Sequence, residues 1–159
     1  MLFLLEGMDK TGKSTVAELI RRKEKASYMH MSVPAKHHTR ESYLAEMLHT
    51  IALTANKNVV IDRTWYGELV WPQIYGRPAL LTKSDVMCLT WVAEALHALT
   101  GGVQQIYMYD SDVVAHKARL CEYKEPAYDY DRTATCYSVM ANTNDFACLT
   151  FQEAVKKWT

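Results

Sequence analysis

The sequence predicts an α/β fold in three layers, with a five-stranded parallel sheet between two layers of helices. Short apolar runs alternate with helical patterns along the 159 residues, an order that is typical of parallel sheets. A glycine-rich loop at 7–14 joins the first apolar run to the first helical pattern, and Asp62 directly follows another apolar run. Because ligands bind at the carboxyl ends of parallel strands, we expect the functional residues in the loops that begin at Gly7, Pro34, Asp62 and Asp110.

Each element is predicted from its local pattern. Apolar residues at 2–5 predict the first strand, and Val16, Leu19 and Ile20 at i, i+3 and i+4 predict an amphipathic helix after the loop. The same criteria predict the other strands at 27–33, 58–61, 103–109 and 146–151. They predict further helices at 40–55, 85–99, 112–120, 132–142 and 152–158.

Two of these segments carry more detailed predictions. The helix at 85–99 is strongly periodic, and its predicted core stripe consists of Val86, Leu89, Ala93 and Leu96. Residues 121–131 are polar and rich in tyrosine. We predict that they form a mobile loop, a lid that becomes ordered when ATP binds.

Bulk composition limits the domain organisation and the partners. A chain of 159 residues is long enough for one domain with a substantial core, and no linker or repeat divides it. Its 18 basic and 18 acidic residues balance and form no basic block, which disfavours a nucleic-acid partner. The four cysteines lack C-x-x-C spacing, no signal peptide is recognisable, and no apolar run reaches the ~18 residues of a membrane span. We therefore expect a single domain in the cytoplasm, without a membrane partner.

The loop at 7–14 contains the pattern G-x-x-x-x-G-K-[ST], with Gly7, Gly12, Lys13 and Ser14 at its fixed positions. Such a loop binds the phosphates of a nucleoside triphosphate through backbone N–H groups at a helix N-terminus, and its lysine reaches the β- and γ-phosphates. The serine hydroxyl is a ligand for Mg²⁺. The residues predicted to bind ATP are Gly7, Met8, Asp9, Lys10, Thr11, Gly12, Lys13, Ser14 and Thr15.

Asp62 and Arg63 form a second motif at the end of the apolar run 59–61. A carboxylate at this place can hold Mg²⁺ through water or position a nucleophile, and the neighbouring guanidinium can bind a phosphate with two parallel hydrogen bonds. The alternative is structural, with Asp62 as the cap of a helix and Arg63 in solvent. Beside a phosphate-binding loop in the same sheet, the functional interpretation is favoured.

The strings Glu6-Gly7-Met8-Asp9-Lys10-Thr11-Gly12-Lys13-Ser14-Thr15 and Asp62-Arg63 resemble the motifs E-G-x-D-x-x-G-K-S-T and D-R-x of the thymidylate kinase family. The order of elements is similar to that family from residue 1 to about residue 143. The short chain and residues 65–71 look like the compact members of bacteriophages, which act in the host cytoplasm. The resemblance implies the three-layer αβα P-loop kinase fold and transfer of the γ-phosphate of ATP to the deoxynucleoside monophosphate dTMP.

The resemblance also implies roles for individual residues. Asp9 matches an acidic residue near the acceptor's sugar and phosphate, Asp62 matches the aspartate near Mg²⁺, and Arg63 matches the arginine that holds the acceptor's phosphate. Lys10 stands where some members have a loop arginine that touches the transferring phosphoryl group, and Arg119 matches the arginine at the edge of the lid. The expected catalytic residues are Lys13, Asp9, Arg63, Lys10 and Arg119, and the expected metal-binding residues are Ser14 and Asp62. The family often forms homodimers, so a homodimer is implied as well.

The acceptor side departs from the family pattern. Where the family often has Arg-Glu-Pro-Gly-Gly, this chain has Ser32-Val33-Pro34-Ala35-Lys36, and Lys36 is a candidate to replace the arginine as a point charge. The aromatic residues at 65, 66, 71 and 75 either stack on a base or form one buried helix face. The residues expected to bind the acceptor are Asp9, Pro34, Arg63, Tyr66, Trp71 and Arg77.

Two other functions stay open at this point. A deoxynucleoside kinase or another small-molecule kinase would phosphorylate a hydroxyl, for which Asp9, Asp62 or Glu6 is a candidate base. Deoxynucleoside kinases usually have Glu-Arg-Ser where this chain has Asp62-Arg63-Thr64, which disfavours them. A non-catalytic nucleotide switch is also disfavoured, because 56–58 lacks the aspartate of the guanine motif N-K-x-D. These patterns do not determine which base the acceptor carries, and modified pyrimidines are among the candidates.

Overall fold

The computed structural model describes residues 1–32, 34–35, 37–122 and 129–159. Five strands lie in these ranges: β1 Leu2–Gly7, β2 Ser27–His30, β3 Val59–Asp62, β4 Val103–Tyr109 and β5 Ala147–Thr150. They form one sheet in the order β2-β3-β1-β4-β5, and every neighbouring pair is parallel. The central strand is therefore β1, which leads directly into the glycine-rich loop.

Helices cover both faces of this sheet. The α-helices in the described ranges are α1 Lys13–Lys23, α2 Arg40–Leu53, α3 Trp71–Tyr75, α4 Lys83–His97, α5 Val113–Glu122, α6 Tyr130–Thr143 and α7 Phe151–Trp158. A short 3-10 helix, Trp65–Leu69, follows β3. None of these helices combines the length and the apolar composition that a membrane span requires. The predicted three-layer α/β fold with five parallel strands is confirmed.

Alternating side chains of β1 build the two cores. Leu2 and Leu4 belong to the larger core, which includes residues of α2, α4 and α6. Phe3 and Leu5 belong to the smaller core, which includes residues of α1 and α7. Because successive side chains of a strand point to opposite faces, a continuous apolar run in β1 supports helices on both sides, as expected for a buried parallel strand.

The register brings the carboxyl ends of the strands together. Leu5 lies opposite Asp62 of β3, and Gly7 lies opposite Met108 of β4. A Cβ atom at Gly7 would lie 2.2 Å from the carbonyl oxygen of Met108, and the φ angle of Gly7 is 143°. Only glycine fits this conformation and this space. The loops after β1, β3 and β4 consequently share one edge of the sheet, where the functional residues were expected.

The core stripe of α4 differs from the prediction. Val86, Leu89 and Ala93 are buried as predicted, but Leu96 is 38% exposed and His97 is completely buried. The imidazole of His97 lies 2.8 Å from the hydroxyl of Thr54 at the end of α2. The last turn of α4 therefore buries a hydrogen-bonded histidine four residues after Ala93, which places Leu96 on the outer face.

Most element boundaries differ from the predicted ones by one to three residues, and two of the differences bear on the site. β2 ends at His30 rather than at residue 33, since β3, its only partner in the described sheet, ends opposite it at Asp62. The predicted loop at 121–131 is shorter, because α5 continues to Glu122 and α6 begins at Tyr130. Asp129 is the N-cap of α6 and accepts a hydrogen bond from the Arg132 amide. The rest of that predicted lid, 123–128, lies outside the described residues.

Candidate active site

The loop between β1 and α1 has the backbone of an anion-binding turn. Gly12 has a φ angle of 87°, and a Cβ atom there would lie 2.5 Å from the Phe151 ring. Both the backbone angle and the available space therefore require glycine. The Gly12 carbonyl accepts the first hydrogen bond of α1, from the Val16 amide at 3.0 Å. Because the first N–H groups of a helix have no partner within it, the N-terminus of α1 favours a bound anion.

Lys13 lies inside this loop. Its side chain is buried, and its Nζ atom donates hydrogen bonds to the carbonyl oxygens of Gly7 at 2.9 Å and Met8 at 2.6 Å. Burial lowers the pKa of Lys13, and the nearby carboxylates of Asp9 and Asp62 act in the opposite direction. The ammonium group thus has carbonyl oxygens as its partners, and an incoming phosphate offers it charged oxygens instead.

Asp62 is the buried carboxylate nearest to the start of α1. Its Oδ2 atom accepts hydrogen bonds from the hydroxyls of Ser14 at 2.9 Å and Tyr28 at 3.1 Å. The imidazole Nδ1 of His30 lies 3.6 Å from the same oxygen. Within the described residues the other oxygen, Oδ1, is buried and has no hydrogen-bond partner. The carboxylate and the serine hydroxyl present oxygen ligands of the kind that Mg²⁺ prefers.

Arg63 connects the second motif with the loop. Its Nη2 atom donates a hydrogen bond to Asp9 Oδ1 at 2.6 Å. Arg63 and Lys10 both adopt left-handed backbone angles, with φ of 62° and 61°. Such angles cost about 1–3 kcal/mol for residues other than glycine and often occur at functional sites. The helix that follows β3 is capped by the side chain of Thr64, so the alternative in which Asp62 caps this helix is wrong.

Three cavities follow one another along the carboxyl edge of the sheet. The loop cavity, about 290 Å³, is lined by the loop residues with His30, Asp62 and Arg63. The Phe151 cavity, about 380 Å³, lies between the loop and the starts of α5 and α7. The Trp71 cavity, about 40 Å³, lies beside the 3-10 helix and α3.

Shared residues give the order of these cavities. Lys10, Gly12 and Thr15 line both the Phe151 cavity and the loop cavity. Arg63 lines both the loop cavity and the Trp71 cavity. The loop cavity is therefore central, and the guanidinium of Arg63 stands at its boundary with the Trp71 cavity.

An ion pair forms one wall of the Trp71 cavity. Arg77 donates to both carboxylate oxygens of Glu68, at 2.5 and 3.2 Å, and the Leu80 amide also donates to Glu68 at 2.8 Å. The guanidinium of Arg77 and the carboxylate of Glu68 therefore lie side by side in this wall. The cavity is also lined by the stacked rings of Trp71 and Tyr75, whose centroids are 5.5 Å apart. The wall offers aromatic rings, donors and acceptors, which are the groups that contact a nucleobase, but the cavity of about 40 Å³ must widen to hold one.

Glu6 is a second carboxylate in the lining of the Trp71 cavity. Its Oε1 atom accepts hydrogen bonds from the amide of Thr64 at 2.6 Å and from its hydroxyl at 2.7 Å. Burial raises the pKa of Glu6 to about 7, although the hydrogen bonds from Thr64 lower it. A carboxyl group with such a pKa exchanges protons near neutral pH.

The four aromatic residues after β3 divide into two pairs. Trp65 and Tyr66 are buried in the larger core, where the hydroxyl of Thr90 donates to the Tyr66 oxygen at 2.8 Å. Trp71 and Tyr75 line the cavity. Tyr66 does not belong to the cavity lining, so its predicted contact with the acceptor is replaced by a packing role. The spacing of the four residues allowed a single helix face. In the structure, one pair belongs to the 3-10 helix and the other pair to α3, so the two pairs lie on different helices.

The other predicted site residues lie as follows. Arg119 lines the Phe151 cavity and pairs with the Asp110 carboxylate. Pro34 and Arg77 line the Trp71 cavity, while Lys36 lies outside the described residues. Asp9, Lys10, Gly12, Lys13, Ser14 and Thr15 line the loop cavity. Gly7, Met8 and Thr11 are buried parts of the same loop.

The predictions from the sequence missed Tyr28 and His30, which lie near the carboxylate of Asp62, and Glu68, which lines the Trp71 cavity. Tyr28 and His30 alternate along β2 and lie at the register positions beside Val60 and Asp62, so alternation in the predicted strand was an available signal. Glu68 gave no comparable signal, since its partner Arg77 is nine residues away across a turn.

No protein-family model matches the sequence, and no curated protein matches it either. Many solved structures nevertheless have a similar fold, and three of them serve as examples. The YorR protein of Bacillus subtilis in complex with phosphorylated GDP matches with a TM-score of 0.76, 21% identity, and coverage of 99% of this chain and 92% of that chain. For the deoxyadenosine kinase of M. mycoides with bound dCTP, the TM-score is 0.55, the identity 14% and the coverage 99% and 94%. For the thymidylate kinase of Ehrlichia chaffeensis, the TM-score is 0.53 and the identity 13%, and the match covers 94% of this chain and 86% of that chain.

Likeness at this level of identity shows the architecture. In this chain the architecture is a five-stranded parallel sheet with helices on both faces. The chain therefore has the αβα fold of the P-loop kinases.

Proposed function

We propose that this protein is a nucleoside monophosphate kinase, which transfers the γ-phosphate of ATP to the phosphate of a deoxynucleoside monophosphate such as dTMP. One observation carries the proposal. Arg63, held by Asp9, lines both the loop cavity and the Trp71 cavity. A guanidinium at this boundary suits an acceptor that itself carries a phosphate.

The donor nucleotide is assigned to the loop cavity and the Phe151 cavity. The β- and γ-phosphates lie against the loop, near Lys13 and the N-terminus of α1. The base lies in the Phe151 cavity, where the Phe151 ring and the Arg119 guanidinium are available for stacking and cation–π contact. The volume of about 380 Å³ accommodates a base and its ribose.

Asp62 and Ser14 fit a magnesium ion that accompanies ATP. They supply a carboxylate with one unpartnered oxygen and a hydroxyl, and Mg²⁺ characteristically uses one or two such protein ligands together with substrate phosphates. When bound, the ion neutralises negative charge on the phosphates. Tyr28 and Ser14 hold the carboxylate in place through its other oxygen.

The chemistry asks the protein chiefly to bring two polyanions together. The acceptor oxygen belongs to a phosphate that is largely ionised at neutral pH, so a general base contributes little. Lys13, Lys10, Arg63 and Arg119 supply positive charge around the transferring group. Removal of one such charge commonly raises the barrier by ~3–4 kcal/mol.

A specific observation supports a second candidate, a kinase whose acceptor is a hydroxyl. Glu6 lines the Trp71 cavity, and its pKa of about 7 suits a general base near neutral pH. In that case the nucleoside or another small molecule enters the Trp71 cavity without a phosphate, and Glu6 accepts the proton of its hydroxyl.

A substrate panel separates these functions. The protein is incubated with ATP and Mg²⁺ and with each deoxynucleoside and deoxynucleoside monophosphate in turn, and ADP release is measured. We expect turnover with monophosphates and the highest kcat/KM with dTMP. Turnover with nucleosides alone would favour the second candidate, and ATP binding without transfer would favour a non-catalytic module. Lys13→Ala is the negative control for ADP release that does not depend on the glycine-rich loop.

We further propose a homodimer that pairs through α4. The outer face of this helix exposes the apolar side chains of Met87, Trp91, Val92 and Leu96, and Trp91 is 60% exposed. A continuous exposed apolar stripe is typical of an interface. Light scattering should show a dimer for the wild type and a monomer for Trp91→Glu. A wild-type monomer at high protein concentration would contradict the pairing.

A further inference from the structure

His116 of α5 lies directly behind the phosphate-binding loop. The residue is 1% exposed, and its Nε2 atom lies 2.6 Å from the carbonyl oxygen of Asp9. Its Nδ1 atom lies 2.9 Å from the hydroxyl of Tyr130, the first residue of α6. A buried histidine therefore joins the loop to both helices that flank 123–128.

The direction of these hydrogen bonds follows from their partners. A carbonyl oxygen only accepts, so Nε2 carries the proton and donates to Asp9. In the neutral imidazole, Nδ1 then accepts the proton of the Tyr130 hydroxyl. The T-shaped contact of the two rings, 5.3 Å between centroids, holds this arrangement.

The peptide that His116 contacts is the one between Asp9 and Lys10. In a trans peptide the C=O and N–H groups point in opposite directions, so the hydrogen bond turns the Lys10 amide away from α5. The same peptide precedes the left-handed angle of Lys10, φ 61°, and follows the side chain that holds Arg63. Its orientation therefore affects two of the proposed catalytic residues at once.

Part of the loop borders a cavity instead of packed side chains. A cavity of about 150 Å³ lies behind it, lined by Met8, Thr11, His116 and Tyr130 among others. A loop with a cavity behind it can shift without a steric clash, because close packing is what normally prevents such movement. The hydrogen bond of His116 crosses this region and ties the backbone to α5.

We propose that His116 is a positioning residue, which orients the Asp9–Lys10 peptide for phosphoryl transfer and couples it through Tyr130 to the start of α6. The inference rests on the proposed function, since it assigns a purpose to the loop geometry of a kinase. It also assigns α5 two contacts with the site, His116 to the loop and Arg119, one turn later, to the Phe151 cavity.

Four variants test this role. His116→Leu removes the donor and keeps an apolar side chain of similar size, whereas His116→Gln keeps an N–H donor. Tyr130→Phe removes only the hydroxyl, and Val114→Ala, at an exposed position of the same helix, is the control. For each variant, kcat, the KM of both substrates, the Kd of Mg·ATP and the melting temperature are measured.

The expected result is a split between turnover and binding. His116→Leu should lower kcat by about 10²-fold, as for a catalytic group displaced by about 1 Å, and change the Kd of Mg·ATP much less. His116→Gln should recover most of kcat, and Tyr130→Phe should lie between the two. Equal losses for Leu and Gln, or an unchanged kcat in His116→Leu, would overturn the proposal.

A spectroscopic measurement keeps the test independent of turnover. If the wild type transfers phosphate to no acceptor, the proposed function fails. The positioning role is then tested by NMR, from the shift of the Lys10 amide resonance when Mg·ADP is added. His116→Leu should weaken the response of this resonance, and His116→Gln should preserve it. An identical response in both variants would refute the role of His116.

Discussion

The guanidinium of Arg63 donates to the carboxylate of Asp9 over 2.6 Å, which links the end of β3 to the glycine-rich loop. Arginine has five N–H donors, so the other donors of Arg63 can reach a phosphate while Asp9 holds the side chain. Because Arg63 lines both the loop cavity and the Trp71 cavity, this pair places one positive charge between the two sites that we propose for donor and acceptor.

The role of Arg63 can be separated from its backbone strain. Arg63→Ala and Arg63→Gly both remove the guanidinium, and kcat should fall by about 10²–10³-fold in each. Only Arg63→Gly relieves the left-handed angle of 62°, so it should be the more stable of the two by about 1 kcal/mol. Assays with saturating ATP and chemical denaturation measure these effects. A variant that keeps wild-type kcat would contradict the assignment of Arg63.

Lys13 is expected to be essential for turnover and dispensable for folding. Lys13→Ala should lower kcat by at least about 10²-fold, because it removes the buried ammonium group that lies inside the loop, against the carbonyl oxygens of Gly7 and Met8. Lys23→Ala, at the exposed end of the same helix, is the control and should retain wild-type kcat. Circular dichroism checks the fold of both variants. An active Lys13→Ala enzyme would disprove the phosphate-binding assignment of the loop.

Glu6 should make stability depend on pH. Burial raises its pKa from the ordinary value of 4.5 to about 7 in the folded protein, so between these pH values the folded state keeps a proton that the unfolded state releases. The free energy of unfolding therefore falls as pH rises from about 4.5 to 7, by roughly 3 kcal/mol at 1.36 kcal/mol per pKa unit. Glu6→Gln should remove this dependence in urea titrations at several pH values. An equal dependence of the free energy of unfolding on pH in the variant and the wild type would contradict this role of Glu6.

The same Glu6→Gln variant distinguishes the two candidate reactions. If the acceptor is a monophosphate, kcat should change little, since an ionised phosphate oxygen needs no base. If the acceptor is a hydroxyl, loss of the base should lower kcat by about 10²–10⁴-fold. The measurement is kcat at pH 7.5 with the best acceptor of the panel.

Phe151 is expected to contribute to donor binding. It lines the Phe151 cavity and is 38% exposed, so its ring is available to the base of ATP. Phe151→Ala should raise the Kd of ATP by about 5- to 100-fold, the loss of one stacking contact, while Phe151→Tyr should stay close to the wild type. Calorimetric titration with Mg·ATP measures both. Equal affinities for the wild type and Phe151→Ala would place the base elsewhere.

Local patterns were informative wherever one element decides the structure. The strand, loop and helix at the start of the chain were predicted because Gly7, Gly12 and the apolar spacing of α1 act over a few residues. The core stripe of α4 was wrong at Leu96, since burial of His97 depends on Thr54 of another helix. The sequence also left open whether Trp65 and Tyr66 pack in the core, where the structure places them. The reason is the same, because helical spacing does not reveal which element covers a given face of a helix.

The αβα architecture, the position of the glycine-rich loop within it and the edge of the sheet where the candidate site lies were predictable from the amino-acid sequence. These properties depend on residues that are neighbours in the chain. Tertiary packing, in contrast, was needed to pair Asp9 with Arg63, 54 residues away, and to bring His116 to the loop across 107 residues of the chain. Such contacts depend on how helices pack against the sheet, and hydrophobic periodicity specifies which face is buried but not which polar side chains meet there.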